Sequence, residues 1–228
     1  MADKIILYHG SKDIIETPEF GKGKVHNDYG RGFYCTEYID LAKEWACGDD
    51  HGGYANRYEL DLGGLKILDL NGADYCILHW ISVLLKNRKV TLETDLSIAA
   101  KKYILENFPV NTGDYDIVKG YRADDSYFSF ARDFLQNTIS VRRLSQVMRL
   151  GNLGNQIVLT SEKAFGQIRF TGYEEAAQEI YFPLRKRRDE LARAEYFSDR
   201  SGDFLSENEL FMLDILRNGV KADDPRLQ

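Results

Sequence analysis

Only three cysteines occur among the 228 residues, Cys35, Cys47 and Cys76, and their spacing fits no metal-ligand pattern. That scarcity argues against a disulfide framework and a zinc site, and predicts reduced thiols in a cytosol-like compartment. An excess of positive charge is also missing. Thirty Lys and Arg against 36 Asp and Glu leave a net charge of −6, so no global field draws the chain onto nucleic acid or an anionic membrane. The apolar stretch before His9 is far too short for a signal-peptide core, and no run approaches the ~20 apolar residues that span a bilayer. Together these absences predict a soluble, cytoplasmic protein with no membrane partner. His51 and His79 have no metal-compatible neighbours in sequence, so no metal is expected. Internal repeats and low-complexity tracts are absent too. What is present, 43% hydrophobic and 29% charged residues, is the ordinary make-up of a globular chain that buries a core.

Residues 4–8 are largely apolar after Lys4 and partly β-branched, and predict a buried strand ending at His9. Residues 10–33 carry Gly, Pro, Asp and Asn without periodicity and predict a long loop, of the kind that is usually functional. Thr36 predicts the N-cap of a helix from about Glu37 to Cys47. Residues 57–62 alternate as a half-buried strand should, and Gly63-Gly64 turns them into residues 66–68. Two helices are predicted over 73–108, the second capped by Thr94 and ended before Pro109. A strand over 115–119 is expected to stop at Gly120, and residues 126–150 read as helical, with Ser140 as a cap and Gly151 as the stop. Residues 156–160 form a further strand, Ser161 opens a short helix, and 167–171 make the last strand.

Beyond Gly172 the pattern changes. Residues 173–197 read as charged helix interrupted by Pro183. Ser206-x-x-Glu209 predicts a capping box for a last helix closed by Asn218-Gly219. Short strands with helices clustered between them, rather than strictly alternating, predict an α+β fold. The predicted division is a first domain over 1–172 and a helical C-terminal appendage over 173–228. The run Arg185-Lys186-Arg187-Arg188 precedes Asp189 and Glu190, and predicts an exposed mixed-charge helix face rather than a phosphate-binding patch.

Two motifs carry most of the functional information. Leu7-Tyr8-His9-Gly10-Ser11 is followed by Asp28-Tyr29-Gly30-Arg31-Gly32-Phe33-Tyr34-Cys35-Thr36, and then by a helix with Ala42, Trp45 and Ala46 on one face. This ordered pair resembles the NAD-binding half of the ADP-ribosyltransferase fold, in the branch of diphtheria toxin and poly(ADP-ribose) polymerase. Within that fold it is closest to bacterial proteins catalogued as a domain of unknown function. The resemblance implies an ADP-ribosyltransferase-like split β-sandwich, a pair of small antiparallel sheets with NAD between them, and helical insertions at about 73–108 and 126–150.

The resemblance also implies residue roles. His9 would hydrogen-bond a ribose hydroxyl, and Gly10 would pair with the nicotinamide carboxamide beside Ser11. Gly32 and Phe33 would lead into Tyr34, whose ring stacks on nicotinamide. Trp45 stands where the polymerase branch has a tyrosine, and Ala42 where it often has serine. Gln156 opens the strand on which many relatives carry glutamate. It keeps a hydrogen-bonding amide but drops a charge that can supply ~3–4 kcal/mol of transition-state stabilisation. Asp125, in the pair Asp124-Asp125, is the candidate base for activating an acceptor.

Taken singly, each residue has a plainer reading. His9 reads as a core histidine, Trp45 as helix packing, Gln156 as a strand start, and Asp124-Asp125 as solvated or capping acids. The order of the motifs favours the functional reading. The expected activity is transfer of ADP-ribose from NAD to a macromolecular acceptor, protein or nucleic acid, with release of nicotinamide. The alternatives are NAD hydrolysis, or a module that binds NAD, ADP-ribose or a protein without turnover. A small regulatory or antitoxin protein is the further partner that the resemblance implies.

Overall fold

Buried and half-buried residues alternate along much of β3 (Gly53–Asp61), as expected of a strand with one face in the core. In the computed structural model, which describes residues 3–123, 125–149, 154–198 and 209–227, β3 is the middle strand of a three-stranded sheet. Its antiparallel neighbours are β1 (Lys4–Ser11) and β7 (Ile168–Ala176). A second sheet has the order β2 (Phe33–Cys35), β6 (Asn155–Leu159), β5 (Ile117–Tyr121), β4 (Ile67–Asp69). The fold is therefore α+β.

The second sheet corrects the expectation of two antiparallel sheets, because β4 runs parallel to β5. A parallel pair needs a long crossover. Here it carries α2 (Ile77–Asn87) and α3 (Asp95–Asn107). Each face of this sheet buries its own core. Phe33, Cys35, Ile117, Ile157 and Leu159 pack with Leu7, Tyr58 and Leu60 of the first sheet. Val118 and Val158 meet a helical layer of α2, α3, α4 (Asp125–Leu135), α5 (Val141–Val147) and α8 (Met212–Asn218).

Three caps read from sequence are formed. Thr94 accepts from the Ser97 N–H, Ser140 from Arg143 and Ser161 from Ala164, each at 3.1 Å, and Ser161 opens α6 (Glu162–Gln167). Other boundaries move. Residues 9–11 belong to β1, and residues 33–35 form a strand rather than the end of a loop. Thr36 is tied by its backbone to Tyr8, so α1 (Ile39–Ala46) starts later, with Tyr38 at its N-cap. The helix expected over 126–150 is two helices, separated where Asn137 turns left-handed (φ 65°) and Ser140 caps α5. Gly120 lies inside β5 instead of ending it.

The C-terminal part departs most from expectation. β7 continues through Gly172, so the boundary drawn there falls within a strand. α7 (Gln178–Ser198) then crosses the molecule. Arg188 holds the buried Glu44 of α1 with two bonds of 2.9 and 2.7 Å, and Arg185 donates to the Cys47 carbonyl at 3.1 Å. Half of the basic run is thus committed to α1. Further along, the Tyr196 ring lies 4.3 Å from that of Phe130 in α4, and its hydroxyl bonds Asp133. Ser206 of the expected capping box lies outside the described residues. α8 starts at Met212, where Asp214 accepts from the Phe211 N–H at 3.1 Å, and it ends at left-handed Gly219 as expected. No described helix is long and apolar enough to cross a membrane.

Candidate functional site

The two sheets meet at Tyr8, which exchanges hydrogen bonds of 2.8 and 2.9 Å with Thr36. Alternation along an antiparallel strand turns the N–H and C=O of Gly10 to the same edge as those of Tyr8. Gly10 lies one step beyond the bridge, where no hydrogen bond among the described residues takes up either group. β1 thus presents one donor and one acceptor side by side at the junction. Gly10 itself is required by α1, since a Cβ there would lie 2.0 Å from the Ala42 carbonyl oxygen.

His9 stacks on Phe33 with ring centroids 4.3 Å apart, and its Nδ1 lies 2.7 Å from the Tyr34 carbonyl oxygen. A carbonyl only accepts, so Nδ1 carries the proton and Nε2 is left as an acceptor. Burial lowers the imidazole pKa, against a weaker opposite pull from the Tyr34 carbonyl. The neutral ring can therefore accept a bond from a hydroxyl at Nε2.

Tyr34 spends its hydroxyl locally, donating to the Gly30 carbonyl at 2.6 Å and accepting from the Tyr29 N–H at 3.0 Å. Burial raises its pKa well above the usual phenol value, so it stays protonated. Only its ring is available to a ligand. Tyr34 pairs with Val158 across β2 and β6, which puts its side chain on the same face of the sheet as Gln156. Gln156 is 7% exposed, and its Oε1 is buried with no hydrogen-bond partner. Native structures leave few such groups orphaned, and each calls for a ligand, a water or a functional role.

Trp45 reaches the site from α1. Its Nε1 is likewise buried without a partner, and the Arg122 guanidinium lies over its ring at 4.1 Å from the centroid. Gly10, Tyr34, Gln156 and Trp45 thus come to one side of the β1–β2 junction. His9 and Phe33 lie on the other side, joined to the first group through the Tyr34 peptide.

Among the remaining expected residues, Ser11, Gly32 and Phe33 have structural contacts. The Ser11 hydroxyl donates to the Asp13 carbonyl at 2.5 Å and accepts from Asn56 at 2.9 Å, fixing the start of the 12–32 loop. Gly32 allows β2 to lie on β6, since a Cβ there would meet Val158 Cγ1 at 2.5 Å. Phe33 is the platform under His9. Asp125 opens α4, and its side chain lies outside the described residues, as does Asp124.

Sequence reasoning missed the residues that pin the loop. Buried Asp28 accepts from the Ala123 N–H at 2.9 Å and from Arg88 at 3.1 Å. The Tyr29 hydroxyl donates to the Tyr121 carbonyl at 2.5 Å and accepts from Trp80 Nε1 at 2.8 Å, filling the space that a Cβ at Gly120 would need. Asp28 and Tyr29 were inside the second motif, but nothing in the sequence marked their partners.

Residues 5–170 match the family model described as a protein of unknown function, DUF3990. Among curated proteins and solved structures, none matches the chain. The match covers well over half of the sequence and includes His9, Tyr34, Trp45 and Gln156, so the chain belongs to the DUF3990 family.

Proposed function

We propose that this protein has an ADP-ribosyltransferase-like fold and transfers ADP-ribose from NAD to a macromolecular acceptor, releasing nicotinamide. The observation that carries the reading is the unpaired N–H and C=O of Gly10, set on the same side of the junction as Tyr34, Trp45 and the orphaned amide of Gln156. A primary carboxamide is the complement of Gly10, because it offers one acceptor and one donor in a plane. The rings of Tyr34 and Trp45 offer flat faces for a heteroaromatic ring. A ribose hydroxyl would satisfy Gln156 Oε1, while His9, on the far side of the junction, would act by holding the Tyr34 peptide through Nδ1. The residues present therefore fit NAD, which supplies an ADP-ribosyl group on a leaving nicotinamide.

In the transfer the bond from the ribose carbon to the nicotinamide nitrogen breaks, its electron pair leaves with nicotinamide, and an acceptor nucleophile bonds the same carbon and releases its proton to solvent. Gly10 holds the departing carboxamide. Gln156 turns a carbonyl dipole toward the positive charge that develops on the ribose, a weaker stabiliser than a carboxylate. That weakness favours a second reading, in which the site binds NAD with little or no turnover.

Purified protein incubated with adenine-labelled NAD and a cell lysate tests both. Macromolecule-bound label that disappears in a His9→Ala, Tyr34→Ala double variant supports transfer. Free ADP-ribose alone would make water the acceptor. Bound NAD without nicotinamide release supports the binding reading, and no NAD binding by the wild type defeats both.

A further inference from the structure

Arg122 follows β5 directly and lays its guanidinium over the face of Trp45, 4.1 Å from the ring centroid. A guanidinium is a flat, delocalised cation, and so is the pyridinium ring of oxidised nicotinamide nucleotides. Both are drawn to an indole face by the same ring quadrupole. Tyr121 pairs with Asn155 at the end of β5 and β6, so Arg122 stands just past the end of the strand that carries Gln156. The guanidinium therefore enters from the Gln156 side of the site.

We propose that Arg122 is an internal competitor for the Trp45 face, which a ligand's cationic ring must displace before it can bind. This rests on the nicotinamide reading of the site and adds a determinant of its affinity and selectivity. Two like charges do not share one indole face without cost, so the cationic ring and the guanidinium exclude each other. A neutral ring meets no such charge repulsion. Arg122 thus sets how strongly the site prefers neutral over cationic rings, the product nicotinamide being neutral and the nucleotide ring cationic.

The test compares wild type, Arg122→Gln, Trp45→Leu and the double variant, using 1-methylnicotinamide, methylated on the ring nitrogen, as the cationic probe and nicotinamide as the neutral one. Acrylamide quenching of tryptophan fluorescence is measured in parallel without ligand. Trp80 is only 1% exposed, so a change in quenching reports on Trp45. Expected in Arg122→Gln are easier quenching and binding of 1-methylnicotinamide that is tighter by roughly 2- to 30-fold, the range that a cation–π contact spans. The gain should be smaller for nicotinamide and absent in the Trp45→Leu background. Unchanged quenching, or a gain that persists without Trp45, overturns the proposal. Easier quenching with neither ring bound by any variant instead overturns the nicotinamide reading on which the proposal stands.

Discussion

Gln156 is a buried neutral amide with an unpartnered Oε1, and under the proposed transfer a carboxylate there would stabilise the developing charge. Gln156→Glu changes little in volume and introduces that charge. It is expected to raise nicotinamide release by roughly 10²-fold, the scale on which preorganised groups act in dry sites. A time course of nicotinamide release checks this, and a fall in rate would show that the amide belongs to another mechanism. His9 gives a prediction about pH. Burial depresses its pKa below 6.5, and His79 shifts the same way for the same reason. As pH falls below about 6.5 the unfolded chain takes up these protons first, so the folded state loses stability, whereas above 6.5 both states are neutral and nothing is lost. Thermal melts at pH 7.5 and 5.5 should show the drop, and His9→Gln should shrink it. An unchanged difference would mean that His9 is not held neutral.

Among the elements, the contact between β1 and α1 is the tightest near the site. An added methyl at Gly10 would strike the Ala42 backbone, which cannot swing aside, so Gly10→Ala is expected to cost about 1–3 kcal/mol. Gly166 in α6 has open space around it and no left-handed backbone, so Gly166→Ala should add about 0.4–1 kcal/mol. Urea unfolding of the two variants side by side is the check, and equal effects would contradict the packing of α1 on β1. Elements marked by local chemistry were legible in the sequence. Thr94, Ser140 and Ser161 announce helix starts through the hydroxyls that satisfy free N–H groups. β2 was hidden because three residues are too few to show alternation, and its pairing is set by β6, more than 120 residues on. The parallel pairing of β4 was hidden for a similar reason, since short apolar runs do not encode direction. For the site, the motifs and the resemblance singled out His9, Tyr34, Trp45 and Gln156. They could not reveal which face each side chain takes, because that depends on the bridge between Tyr8 and Thr36.

On the scale of the whole molecule, α7 binds distant parts together. Its Arg188 is read in sequence as one of four solvated cations, but it neutralises Glu44, whose side chain is 3% exposed. Arg188→Ala would leave that carboxylate buried and unpaired, at an expected cost of about 3 kcal/mol, the low end for such pairs because Arg188 is itself partly exposed. Arg187→Ala, on the exposed side of the same run, should be within about 0.5 kcal/mol of wild type. Denaturant melts distinguish the two, and a silent Arg188→Ala would return α7 to the role of a loose appendage. The span of α7 from Glu44 to Phe130 also bears on synthesis. Chains fold from the N-terminus as they emerge from the ribosome. Glu44 appears early and waits for a counter-charge that is translated 144 residues later. A nascent chain halted before Arg188 therefore carries the His9 and Tyr34 motifs in full while α1, which holds Trp45, lacks its anchor. The anchoring of α1 is in this way timed to the late passage of α7 through translation.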